Sequence, residues 1–184
     1  SSESQSKVEK MAYEKPITIK EAIAAIEDGE YVLPSIQREF VWDEEQMETL
    51  FDSLMRDYPI STFLFWKVKA ENVGKFQFYQ FLRDFHERDA RHNHKATFSG
   101  DKDIIGILDG QQRLTSLYVS LKGSYASKLT YYRRDSDHAY PAKRLFLNLL
   151  RPSDEIEMEY EFKFLTDEES KQKDSEHLWF QVGQ

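Results

Sequence analysis

Five consecutive residues, Asp109, Gly110, Gln111, Gln112 and Arg113, carry the strongest chemical signal in the chain, because they stand where a buried strand runs through one glycine into a helix. Ile104, Ile105, Ile107 and Leu108 form a short apolar run of buried-strand type. Leu114, Leu117, Tyr118 and Leu121 then recur at helical spacing as far as Gly123. The first turn of a helix has backbone N–H groups with no intrahelical acceptor and the positive end of the helix dipole, so such a junction favours a phosphate or a carboxylate. Gly110 lets an anion approach closely, Arg113 adds a planar, permanently charged fork for paired oxygens, and Gln111 and Gln112 add amide donors. The same letters also fit a corner where nothing binds, with Asp109 capping the helix and Arg113 solvated.

A second string holds polar groups among large apolar ones. After a strand-like start at residues 31–33 and Pro34, Gln37 and Arg38 are set among Ile36, Phe40, Val41 and Trp42. This reads as a wall of the same site. The competing reading is a loop whose aromatics plug the core while Arg38 reaches solvent.

Together the two strings, residues 33–42 and 108–118, resemble the N-terminal domain of GmrSD-type modification-dependent restriction endonucleases, a ParB/sulfiredoxin-like domain. The resemblance covers about residues 15–122 and includes the intervening helix and the run from Tyr58 to Trp66. It implies an α/β (α+β) fold, a mixed sheet with flanking helices, as the N-terminal part of a longer protein. It also implies nucleoside triphosphate binding by Asp109, Gly110, Gln111, Gln112 and Arg113, and hydrolysis with Gln37, Arg38, Gln111 and Arg113 as the catalytic set. In that expectation Arg113 and the helix amides hold phosphate oxygens, Arg38 stabilises charge developing at the phosphoryl group, and Gln37 or Gln111 orients the attacking water. Turnover would gate recognition or cleavage of modified DNA in anti-phage defence. Asp109 beside phosphates is repelled unless it points away as a cap or is separated from them by a cation, which makes Mg2+ the expected companion. Sulfiredoxins place a catalytic cysteine between the glycine and the arginine; this chain has Gln111 there and no cysteine at all, which excludes thiol chemistry. ParB-type proteins use a comparable corner to hold nucleotide phosphates.

A net charge of −8 argues against a generally basic nucleic-acid binder until it is divided along the chain. Residues 153–176 carry ten acidic side chains against Lys163, Lys171 and Lys173, leaving the remainder almost neutral. One basic patch stands out, Lys128, Arg133, Arg134, Lys143 and Arg144 interleaved with Tyr131, Tyr132 and Tyr140, a composition that follows a phosphate backbone and stacks on bases. A solvated loop has the same composition. Two rival functions follow. One is a non-catalytic DNA-binding module whose corner grips a backbone phosphate. The other is a protein-interaction domain that uses an acidic strand face and keeps a decayed ligand site. The lack of cysteine, of a signal peptide and of a long apolar run reads as a cytoplasmic protein.

The elements that must position these groups are legible from local signals. Thr18 with Glu21 and Asp43 with Gln46 have capping-box spacing, so helices are expected over about 19–28 and from 43 to about 58. Strands are expected at 61–69, 76–82, 145–150, 157–164 and 178–182, with a turn at 71–74. The alternation of Met158, Tyr160, Phe162 and Phe164 with Glu157, Glu159, Glu161 and Lys163 puts the charged set on the solvent side. Residues 83–103 show no period and read as a mobile loop, and residues 1–14 as a disordered lead-in before a domain at 15–184. His86, His92 and His94 in that loop lack ligand spacing and read as solvated rings rather than metal ligands.

Overall fold

The computed structural model describes residues 17–59 and 62–183, so the expectation for residues 1–14 lies outside the described residues. Helix α1 (Ile19–Glu27) begins in the capping box formed by Thr18 and Glu21 and buries Ala22, Ile23, Ala25 and Ile26. Gly29, at φ 72°, turns the chain into β1 (Tyr31–Pro34), a strand buried along its whole length. Helix α2 (Glu44–Met55) starts at the Asp43–Gln46 box. Strands β2 (Leu64–Val68), β3 (Phe78–Tyr79) and β5 (Ile104–Asp109) join β1 in a mixed sheet of order β2-β5-β1-β3, in which β1 and β5 run parallel. Helix α4 (Gln111–Lys122) follows β5 directly.

One face of this sheet builds the main core, in which Leu33, Ile105 and Ile107 pack with Ile23, Ile26, Leu114 and Leu117. The other face carries a smaller cluster of Val32, Val68, Val73, Phe78 and Ile104. Strand β4 (Asp84–His86) pairs in parallel with β6 (Ser124–Ala126). Strands β7 (Arg144–Pro152), β8 (Tyr160–Leu165) and β9 (Trp179–Gln181) form an antiparallel sheet of order β8-β7-β9. Two single-turn helices, α3 (Ala70–Val73) and α5 (Asp167–Ser170), complete an α+β fold whose mixed sheet is flanked by helices. No helix among the described residues is long and apolar enough to cross a membrane.

Several local expectations change on folding. Residues 83–103 are not a structureless loop. Phe85 is buried, stacks on Tyr125 at 4.9 Å and meets Phe40 edge-on at 5.6 Å, which draws β4 onto β6. That pairing partner lies 40 residues away, so no local period announces it. The turn expected at 71–74 is the helical turn α3, started where the Asp103 carboxylate accepts the Ala70 N–H at 2.9 Å. The strand expected at 76–82 contracts to β3, with Phe81 and Leu82 buried beyond it. The acidic side of β8 is not wholly solvated either. Glu161 is buried and receives Asn148 Nδ2 at 2.8 Å and Arg151 Nε at 3.2 Å. Burial works against its ionisation, but Arg151 and Asn148 hold its carboxyl below the usual value.

Helix α2 fastens the second sheet to the first through two carboxylates one turn apart. Glu48 Oε1 accepts the Phe164 N–H at 3.0 Å, and Asp52 Oδ1 accepts the Glu159 and Tyr160 N–H groups at 3.0 and 2.8 Å. β8 is an edge strand, and these side chains take edge donors that would otherwise need water. Burial pushes the Glu48 carboxyl up to about 7, against the Phe164 hydrogen bond and Lys163, which lower it. A carboxyl raised in this way is protonated in the folded state while the unfolded chain has already ionised. Its contribution is therefore full below the ordinary value and lost as pH rises to about 7. Glu48→Gln should remove this dependence. Relative to wild type, the variant is expected to gain on the order of 3 kcal/mol between mildly acidic and neutral pH, measured by urea unfolding. A stability difference that stays constant across that window would assign the titration elsewhere.

Candidate functional site

Because β1 and β5 are parallel, with Tyr31 opposite Ile105 and Val32 opposite Gly106, the segments leaving their C-terminal ends emerge at the same edge of the sheet. This is the edge at which parallel α/β sheets present ligand sites. β5 ends at Asp109, which is exposed and whose Oδ1 accepts the Gly110 N–H at 2.9 Å. Asp109 therefore does not cap α4. The cap position is Gly110, in the left-handed region at φ 89°, and no side chain caps the helix there. Helices α1, α2 and α5, by contrast, each begin in a complete capping box. The first-turn amides of α4 keep the positive end of the helix at a surface edge.

Arg113, one turn into α4, is held at two points. Its Nη2 donates to the Thr62 carbonyl at 3.1 Å, and its Cζ lies 4.8 Å from the centre of the Phe63 ring. Its Nη1 is buried and has no hydrogen-bond partner among the described residues. A guanidinium fixed by a carbonyl and an aromatic face is thus left with one buried donor that no described residue satisfies. Phe63 also explains the glycine differently from the anion argument. A Cβ at position 110 would run into the Phe63 ring and come within 3.2 Å of Arg113 Nη2. The aromatic support beneath Arg113 and the left-handed backbone at position 110 each require glycine here, whether or not an anion approaches.

The segment after β1 lies across the start of α4. The Gln112 side chain clamps it, accepting the Val41 N–H at 3.1 Å through Oε1 and donating to the Glu39 carbonyl at 2.9 Å through Nε2. Phe40 is buried beneath, and Tyr125 donates to the Trp42 carbonyl at 3.2 Å. Gln37 is half-buried, and its Oε1 is buried without a partner among the described residues. Arg38 is exposed and makes no hydrogen bond or ion pair among the described residues. Ile36 and Val41, 90% and 73% exposed, leave apolar surface on either side of this pair. The two strings thus converge. Gln112 acts as the clamp between them, and one of its two amide hydrogens is used on that task.

Gln111 also has a structural contact, since its Nε2 donates to the Ile107 carbonyl at 2.8 Å. One hydrogen of each amide expected beside Arg113 is therefore engaged within the fold. Of the basic patch, three members are engaged within the fold. Lys128 Nζ binds the carbonyls of Leu129 and Tyr132, Lys143 pairs with Glu44 at 3.3 Å, and Arg144 donates to the Gly123 carbonyl at 2.9 Å. Arg133 and Arg134 remain exposed.

The histidines separate as well. His86 is half-buried, stacks on Tyr140 at 4.7 Å and accepts the Arg88 and Asp89 N–H groups through Nδ1, so it is a structural ring rather than a solvated one. His92 is exposed and pairs with Glu39 at 3.1 Å, and His94 is exposed. No group of three His, Cys, Asp or Glu able to hold a metal occurs among the described residues. A cavity of about 670 Å³, lined by Tyr31, Val32, Phe98, Ile104 and Tyr118, lies at the opposite end of the sheet, where β1 and β5 begin.

Sequence reasoning did not foresee Thr62 and Phe63 as the seat of Arg113, or Gln112 as a clamp. Thr62 and Phe63 fall within a run that reads as strand, and nothing in it reports that its start lies beneath an arginine 51 residues away.

The model of the GmrSD restriction endonuclease N-terminal domain matches residues 19–181. An uncharacterized protein of Methanocaldococcus jannaschii is 38% identical over 94 residues, which is 51% of this chain and 15% of that protein. The chain therefore spans a small part of that relative's length. The match of the domain model runs through both strings and continues to β9, and on that extent the chain belongs to the family of GmrSD restriction endonuclease N-terminal domains.

Proposed function

We propose that this domain binds a nucleoside triphosphate at the edge between β5 and α4 and hydrolyses it in the service of DNA restriction. The observation that carries the reading is the buried Nη1 of Arg113, without a partner among the described residues, beside the start of α4 that no side chain caps. A buried donor left unsatisfied costs about 1–3 kcal/mol, which a phosphate oxygen would recover. Gln37 Oε1, on the facing segment, is a buried acceptor in need of a donor, and a water molecule is one.

In this reading Arg113 and the first-turn amides of α4 hold phosphate oxygens. Gln37 accepts a hydrogen bond from the water and so aims its oxygen lone pair at the terminal phosphorus. Attack forms the new P–O bond and breaks the bond to the bridging oxygen, which leaves with the nucleoside diphosphate, while the proton of the water passes to an oxygen of the phosphate. Arg38, uncommitted to any partner among the described residues, stabilises the charge on the transferring group. Gln111 is a weaker candidate for orienting water, because its amide nitrogen is bound to Ile107.

The residues present fit Mg2+ only as a phosphate-bound ion. Asp109 is exposed and uses one carboxylate oxygen on Gly110, leaving Oδ2 as a single protein ligand, and Mg2+ commonly takes its remaining ligands from phosphates and water. When bound it would neutralise phosphate charge next to Asp109. Titration calorimetry with ATP, GTP and CTP, each with Mg2+, against inorganic phosphate tests the reading. At least one triphosphate should bind tenfold or more tightly than phosphate, with phosphate release on incubation. Equal weak binding of all four would reduce the corner to a generic anion site.

A further inference from the structure

Residues 127–140 leave the core between β6 and β7 and form a projection whose own polar groups are largely satisfied inside it. Lys128 Nζ binds the carbonyls of Leu129 and Tyr132 at 2.9 and 3.0 Å, and the Leu129 N–H returns to the Ala139 carbonyl at 2.8 Å. The Tyr140 hydroxyl donates to the Arg134 carbonyl at 3.0 Å. Arg88 braces the base. It pairs with Asp137 at 2.7 Å, lies over the Tyr140 ring and reaches the Arg134 carbonyl at 3.4 Å. Ala139 and Tyr140 are buried in a small cluster with Ala126.

Against this ordered base, the tip presents four consecutive side chains to solvent. Tyr131 is 98% exposed and Tyr132 49%, and Arg133 and Arg134 are exposed with no side-chain hydrogen bond or ion pair among the described residues. Two aromatic faces and two uncommitted guanidinium groups on a pre-ordered turn contribute nothing to the core. Asp137, the acid that would otherwise neutralise them, is already paired to Arg88, which leaves Asp135 as the acidic neighbour within the tip.

We infer that Tyr131, Tyr132, Arg133 and Arg134 form a contact for single-stranded DNA, in which the tyrosine rings stack on unpaired bases and the arginines pair with backbone phosphates. Stacking tolerates any base, and the cations track a repeating charge. Ordering of the tip before binding lowers the entropy lost on association. The choice of DNA as the nucleic acid rests on the restriction reading above, whereas the contact chemistry does not depend on nucleotide turnover at Arg113.

The test is fluorescence anisotropy of a labelled single-stranded oligodeoxynucleotide with the full chain, titrated at several salt concentrations. Tyr131→Ala/Tyr132→Ala should weaken binding tenfold or more with the salt dependence kept. Arg133→Ala/Arg134→Ala should lower the slope of log affinity on log salt by about 1. No binding by the wild-type chain at low salt, or binding by either double variant equal to wild type, overturns the inference. Nucleotide titrations on the same folded variants should match wild type. A wild-type chain that binds the oligonucleotide but no nucleotide defeats the reading of the corner and leaves this contact standing.

Discussion

Replacing Arg113 with Ala is expected to weaken triphosphate binding by at least about a hundredfold, roughly 2.7 kcal/mol, while the fold persists. Among the described residues the side chain has one hydrogen bond through Nη2 and a stacking contact with Phe63, and its Nη1 satisfies no group, so little folding energy is tied to it. The phosphate it would hold loses a charged, preoriented donor next to the α4 amides. Arg113→Lys should recover only a small part of the loss. A single ammonium cannot hold the Thr62 carbonyl and a phosphate oxygen in the geometry of a planar fork. Calorimetry on both variants, with circular dichroism to verify folding, decides the point. Wild-type affinity in Arg113→Ala would sink the assignment of the site.

Gly110→Val should be among the most damaging single changes in the domain, for reasons internal to the fold. Position 110 sits at φ 89°, where a β-branched residue is strained, and its Cβ would overlap the Phe63 ring that supports Arg113. Strain of about 1–3 kcal/mol and overpacking of similar size together predict a loss of about 2–6 kcal/mol in urea unfolding. A double-mutant cycle separates the two causes. Gly110→Ala in a Phe63→Ala background should cost less than in wild type, because the clash is gone and only the backbone strain remains. Additive costs would show that Phe63 is not what excludes a side chain at 110. Any effect of these variants on nucleotide binding then runs through the seat of Arg113.

Much of the scaffold was readable from neighbouring residues because the forces that set it are local. The boxes of Thr18 with Glu21 and Asp43 with Gln46 start α1 and α2 where their spacing puts them. The apolar run before Asp109 and the helical spacing after Gly110 gave the β5–α4 junction with nearly its observed limits. Failures occurred where a long-range partner decided the outcome. Phe85 becomes strand because Tyr125 and Phe40 receive it, and Glu161 is buried because Asn148 and Arg151 meet it across the β7–β8 pair. The same division runs through the basic patch, where Lys128, Lys143 and Arg144 are distinguishable from Arg133 and Arg134 only once their acceptors are known.

By itself, then, the sequence determined which chemistry the corner can offer: an arginine one turn into a helix that starts at a glycine, a second polar pair at Gln37 and Arg38, and no thiol anywhere. These are properties of residue type and short spacing, and they survive any packing. The tertiary structure alone decided which of those groups remain available. Gln112 is engaged in joining residues 39–41 to α4, Gln111 donates one hydrogen bond back to Ile107, and Asp109 serves the Gly110 amide. Arg113 Nη1 and Gln37 Oε1 are left buried without partners among the described residues. Hydrogen-bonding capacity belongs to a residue, but whether that capacity is already satisfied depends on groups that only folding brings within about 3 Å.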